Sequence, residues 1–244
     1  MKIIRNIPNG IKLFRSVSIF NKHLDEITRL REEGKKEEER ALLADATGQW
    51  VNNVIDIFDI TVNVKGRENI PMDRPCVFYA NHQGYADIIV MLKAAEGKQI
   101  GFIAKDSLEK VPYFGKWIKA IHGVFIQRGD AKAALRSIQA GVNEIKDGYS
   151  MVIFPEGTRS HCHEMGEFKA GSFKLATKAK VPVVPVTIDG TYHMFEDREI
   201  ITPGTTVNMI IHPPIETADL ERKEAAELHT AVENIVREGL KEFE

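Results

Sequence analysis

The sequence predicts an α/β fold: a single domain with a mixed, largely buried sheet flanked by helices, preceded by an amphipathic two-helix extension. Three observations lead there. Short β-rich runs recur after Asp59, at Ile60–Val64, Cys76–Ala80, Ile100–Ala104, Gly123–Gln127, Met151–Phe154, Val183–Ile188 and Thr206–His212. Several are apolar throughout, the pattern of strands covered on both faces. Helical stretches separate many of them, and the residues ahead of them carry helical spacing and no strand pattern. The expected division is residues 1–59 as the extension and 60–244 as the α/β domain.

Between Met1 and Leu24 there are five basic residues (Lys2, Arg5, Lys12, Arg15, Lys22) and no acidic one. Ile7, Ile11, Phe14, Val17, Leu24, Ile27 and Leu30 fall mostly three, four or seven apart, which is one face of a helix. A basic helix with an apolar face suits an anionic bilayer surface, where apolar burial and charge attraction add. A helical hairpin packed on its own domain, or on a second subunit, fits the same pattern. Asp25–Arg40 holds seven acidic and five basic residues around Gly34 and reads as a solvated turn. A second helix is expected from about Glu37 to Phe58, with Leu43, Trp50, Val54, Ile57 and Phe58 apolar. Trp50 is a residue type that sits well at a headgroup interface.

In the domain proper the clearest helix is Asp130–Asp147. Asp130 caps it, Leu135, Ile138, Val142 and Ile145 form its stripe, and Gly148 ends it. A charged amphipathic helix closes the chain from about Ala218 to Phe243.

Composition narrows the function. At 244 residues, 43% hydrophobic and 28% charged, the chain has the content of an ordinary globular domain. A formal net charge of −2 gives no global attraction for nucleic acid, so an anionic partner must meet a local patch. Two cysteines without a CxxC pair argue against a disulfide framework and fit a reducing cytoplasm. No window approaches the roughly 20 apolar residues of a membrane span, and the N-terminus lacks a secretory signal. The chain is expected in the cytosol or lying on a membrane.

Two stretches carry chemistry. Tyr79–Asp87 follows a buried-type strand and precedes an apolar helix, which puts His82 and Asp87 at a strand end, where α/β sheets build sites. In one regular helix, residues five apart point about 140° away from each other; cooperation therefore needs a turn, which Gly84 makes available. A carboxylate that holds one imidazole nitrogen leaves the other free as a general base. A capping Asp and a structural His fit the same spacing.

The second stretch is Val152–Ser160. Pro155 and Gly157 force a turn after a buried strand, and Thr158, Arg159 and Ser160 emerge with donors suited to an oxyanion. Glu156 is placed to orient a hydroxyl or to hold Arg159; an ordinary turn with a surface ion pair is the alternative. Lys105 and Arg128 follow two further strands. Three cations after three strands point to one anionic group at one sheet edge.

These stretches resemble the glycerophosphate acyltransferase family, most closely its bacterial 1-acyl-glycerol-3-phosphate acyltransferases. Four ordered blocks carry the resemblance, at Asn81–Asp87, Gly123–Arg128, Phe154–Ser160 and Val181–Val186, within about Ile60 to Ile215. The resemblance implies a fatty acyl transfer from acyl-carrier protein or coenzyme A to a lysophospholipid hydroxyl, giving phosphatidic acid. His82 would be general base and Asp87 its orienting partner. Lys105, Arg128 and Arg159 would bind the acceptor's phosphate, with Glu156, Gly157 and Thr158 shaping its site and Val181–Val186 lining or supporting the acyl region. No metal or organic cofactor is implied, since the thioester is a co-substrate. The expected location is the cytoplasmic face of the cell membrane, held by residues 1–58.

Rival readings are a hydrolase using the same pair on water, or a non-catalytic lipid- or metal-binding module. Cys162 lacks a partner motif, and there is no GxSxG elbow. His161-Cys162-His163 lacks a second ligand pair and reads as a surface loop.

Overall fold

The computed structural model describes residues 2–127 and 130–244. Arg128, one of the expected phosphate ligands, lies outside the described residues. The N-terminal helices are α1 (Lys2–Asn21), α2 (Leu24–Glu32) and α3 (Lys36–Phe58). They form the two expected arms, with the first arm broken at Lys22 and His23.

The stretch expected as a solvated turn is corrected: most of it is helix α2 and the start of α3, and the reversal is confined to residues 33–35, with Gly34 at φ +70°. The cause is the apolar pair Ile27 and Leu30, both buried, which gives the charged segment an inward stripe. Arg29 also pairs with Glu26 and Glu33 at helical spacing, which supports the segment modestly.

Trp50 is corrected too. Its ring is 2% exposed, lies 5.0 Å from the Trp117 ring, and its Nε1 donates to Ser16 Oγ at 3.0 Å. Burying the indole with its N–H satisfied makes it core rather than interface. In α1 the apolar residues divide. Val17 and Phe20 face the core, whereas Ile7, Ile11 and Phe14 are each about half exposed.

The domain proper runs β1 (Thr61–Lys65), β2 (Val77–Ala80), α4 (Asp87–Ala94), β3 (Ile100–Lys105), α5 (Phe114–Ala120), β4 (Val124–Ile126) and α6 (Ala131–Lys146). It continues with β5 (Ser150–Ile153), α7 (Lys174–Ala179), β6 (Val183–Asp189), β7 (Thr206–Ile211) and α8 (Arg222–Lys241). Every expected strand is present, with ends moved by a residue or two. The sheet order is β1-β7-β6-β2-β5-β3-β4, and among the described strands β6 and β7 pair antiparallel while the other neighbours are parallel. The sheet is therefore mixed. Its central strands β2 and β5 are buried along their whole length, as doubly covered strands must be.

Asp130 Oδ1 caps α6 by accepting from Lys132 N and Ala133 N, and Gly148 follows the helix at φ +102°. Ile138, Val142 and Ile145 face inward as expected, but Leu135 is half exposed, and Ala133 near the helix start is buried. The closing helix α8 starts four residues later than expected, at a reciprocal capping box between Glu221 and Glu224.

One apolar cluster runs from Phe20, Trp50 and Phe58 to Phe78, Val90 and Val186, so the N-terminal arms share the core of the sheet. Because β6, β2, β5, β3 and β4 are mutually parallel, their C-terminal ends lie at one edge. That edge positions the site.

Candidate active site

The first block leaves β2 and is latched to the end of β6. Asn81 Nδ2 donates to Ile188 O and its Oδ1 accepts from Ile188 N, both at 2.8 Å. Gln83 Oε1 accepts from Gly190 N at 2.9 Å. The chain then turns back: Gly84 N donates to Asp87 Oδ2 at 3.1 Å, and Asp87 opens α4. Since His82 precedes the helix, the divergence of a regular helix does not apply. His82 Nδ1 meets Asp87 Oδ2 at 2.6 Å.

Asp87 is fully buried, and its second oxygen accepts from the Thr191 hydroxyl. A carboxylate is acceptor only, so the shared proton sits on Nδ1. No protein group among the described residues bonds His82 Nε2, and the ring stacks on Phe154 with centroids 4.1 Å apart. The imidazole is thus held on one nitrogen and one face, with the other nitrogen open.

The third block zips to the first through backbone. Ser160 N donates to His82 O at 2.8 Å and His161 N to Gln83 O at 3.2 Å. Glu156 is buried; its Oε1 accepts from His82 N at 2.6 Å and its Oε2 from Gly166 N at 2.7 Å. Burial pushes the Glu156 carboxyl above its ordinary value, and those two backbone N–H groups offset only part of that rise. Gly157 takes φ +72°, and a Cβ there would stand 2.6 Å from Lys169 Nζ. Thr158 is exposed.

Of the two roles expected for Glu156, orienting a hydroxyl or holding Arg159, the pairing with Arg159 is not formed. Both oxygens of Glu156 are taken by backbone, and Arg159 pairs instead with Glu196, Nη1 to Oε1 at 2.8 Å. The Arg159 guanidinium lies 3.6 Å over the Tyr85 ring. Lys105 is exposed at the end of β3, two strands from β2 on the same edge. No hydrogen bond or ion pair joins it to His82, Asp87 or Arg159.

Cys162 is exposed and its Sγ hydrogen bonds only to the Glu164 carbonyl at 3.8 Å; His163 pairs with Asp189. Cys76 lies buried at the opposite end of β2, where burial pushes its thiol up to about 11. Among the described residues no group of three or more His, Cys, Asp or Glu is arranged to hold a metal ion.

Sequence reasoning missed Thr191 and Glu196. Both follow β6, the strand beside β2, within eight residues of its end. Their only sequence signal was that position, just past a strand end on the site's edge.

A protein-family model described as Acyltransferase matches residues 61–189, more than half of the chain. A chloroplastic 1-acyl-sn-glycerol-3-phosphate acyltransferase of Brassica napus is 37% identical over 156 residues, covering 63% of this chain and 44% of that protein. A protein of the same name from Pseudomonas aeruginosa is 30% identical over 195 residues, 80% of this chain and 74% of that protein. The crystal structure of the 1-acyl-sn-glycerophosphate (LPA) acyltransferase from Thermotoga maritima matches with TM-score 0.81 at 31% identity, covering 100% of this chain and 98% of that one. The matches to two chloroplastic relatives, from Brassica napus and Arabidopsis thaliana, span less than half of those proteins' length.

Proposed function

The chain belongs to the acyltransferase family, and from that premise we propose that it acylates the free hydroxyl of 1-acyl-glycerol 3-phosphate, giving phosphatidic acid. The donor is a thioester of acyl-carrier protein or coenzyme A. The observation that carries the reading is the His82–Asp87 contact at 2.6 Å with Nε2 left open at the sheet edge.

An alcohol is a poor nucleophile at neutral pH. His82 Nε2 takes its proton as the oxygen attacks the thioester carbonyl, which avoids a free alkoxide and is worth roughly 10²–10⁴-fold. The tetrahedral intermediate then collapses, the C–S bond breaks, and the Nε2 proton passes to the leaving thiolate. Asp87 keeps the second imidazole proton on Nδ1 throughout. Arg159, with Lys105 and Arg128, anchors the acceptor phosphate and so orients the attacking hydroxyl. Glu156 acts behind the site, holding the backbone of His82.

The N-terminal arms bring this edge to lipid. The exposed Ile7, Ile11 and Phe14 are joined by Tyr113, whose ring meets Phe14 edge-on at 4.9 Å, and Lys12 and Arg15 are exposed among them. This composite of apolar rings and cations suits an anionic bilayer surface. No helix among the described residues is long and apolar enough to cross a membrane. The contact in this proposal is with one leaflet, at the cytoplasmic face.

A reaction matrix on vesicles tests the function, with both thioesters crossed against lysophosphatidic acid, glycerol 3-phosphate and a monoacylglycerol. Lysophosphatidic acid is the expected acceptor, and His82→Ala should lose at least about 10²-fold in rate. An unchanged rate in that variant removes the general base. Equal product from monoacylglycerol removes the phosphate anchor, and thioester loss without acceptor makes the protein a hydrolase.

A further inference from the structure

Arg159 is the cation of the third block, and its side chain is only partly exposed. Its Nη1 is held at 2.8 Å by Glu196, a carboxylate whose side chain is 1% exposed. The same Oε1 accepts from Tyr85 N at 2.9 Å, and the Tyr85 ring lies beneath the guanidinium. One buried oxygen therefore ties the first block to the third through the loop after β6. The other oxygen, Oε2, has no hydrogen-bond partner among the described residues. It faces Gly84, where a Cβ would stand only 2.5 Å away.

We propose that Glu196 is a positioning residue for the acceptor's phosphate, acting through Arg159. This rests on the phosphate reading of Arg159 given above. A planar guanidinium presents five N–H donors in a fixed fork. Glu196 takes an Nη1 donor and Tyr85 covers one face, so the side chain's rotation is fixed and its remaining donors have a set direction. A carboxylate holds the Arg159 donor through a charge-assisted hydrogen bond, which is stronger than the bond a neutral acceptor would make. The glycine at position 84 is what lets the carboxylate approach.

Glutamine at 196 would keep the acceptor for Tyr85 N but lose the charge beside Arg159. Steady-state kinetics on vesicles test this with Glu196→Gln, Arg159→Ala and the double variant, each with lysophosphatidic acid and with a monoacylglycerol. The expected result for Glu196→Gln is an acceptor KM raised about tenfold, the order set by one charge-assisted contact. The kcat should stay within about twofold and the monoacylglycerol rate should not change. In the Arg159→Ala background the same substitution should add nothing. Should Glu196→Gln not fold, Glu196→Asp keeps the charge but is too short to span both partners, and it carries the same KM expectation. An unchanged or lowered KM, an equal loss with monoacylglycerol, or a full effect without Arg159 overturns the proposal. If Arg159→Ala itself leaves the acceptor KM unchanged, the phosphate reading fails instead.

Discussion

Thr191 donates its hydroxyl to Asp87 Oδ1 while His82 holds Oδ2, so the buried carboxylate is gripped from two different strand ends. The proposed base therefore depends on a residue that is itself fully buried. Thr191→Val keeps the shape and removes the donor, leaving Oδ1 without a partner at a cost of about 1–3 kcal/mol. The kcat is expected to fall about tenfold with both substrate KM values unchanged. A wild-type kcat would show that Thr191 only packs.

Asp87→Asn is expected to act more severely. An amide is neutral whichever way it turns, so the imidazolium formed when His82 acts as the proposed base loses its counter-charge. The rate should drop roughly 10²–10⁴-fold while the thermal melt moves little. Single-turnover acylation and a melting curve separate the two effects.

Phe14 and Trp50, both aromatic and both in the N-terminal arms, should behave oppositely. Phe14→Ser with Ile7→Ser and Ile11→Ser is expected to weaken sedimentation with anionic vesicles and leave the melting temperature near wild type, because those residues are already exposed. Trp50→Ala should cost about 3–5 kcal/mol of stability by opening a core cavity. Vesicle binding by folded Trp50→Ala protein should persist. Full vesicle binding by the triple serine variant would place the anchor elsewhere.

Glu156 makes stability depend on pH. Burial raises its carboxyl above the ordinary value, so the folded state favours the protonated form. That contribution is complete below the ordinary carboxyl range and is lost as pH rises through the folded value. Glu156→Gln is neutral throughout, so its stability relative to wild type should improve between about pH 4 and pH 7. Urea midpoints at both pH values check this; a constant difference would contradict it.

Much of this fold is readable in one sequence because local pattern and burial agree. Strands such as β2 and β5 are apolar at every position, and Asp130 and Gly148 bracket α6 with ordinary cap chemistry. The errors fall where an apolar residue's side was decided by something distant. Trp50 carries an amphipathic ring suited equally to a headgroup layer and to a core with a partner for its N–H. Ser16 and Trp117 settled that, and neither is its neighbour in sequence. Ile27 and Leu30 made helix out of a charged stretch for the same reason.

The site divides along the same line. Strand, turn and helix around residues 79–87 follow from side chains close in sequence, so the proximity of His82 to Asp87 was legible from a buried run, a glycine and a helix start. The partner of Arg159 was not. Glu156 stands three residues away and is acidic, yet its oxygens are drawn to the backbone of His82 and Gly166, and Glu196 takes the arginine from 37 residues on. Short-range spacing determines which groups leave the sheet edge together. Which of them pair is decided by strand order, because β6 lies beside β2 and delivers Thr191 and Glu196 to the carboxylate and the guanidinium that needed them.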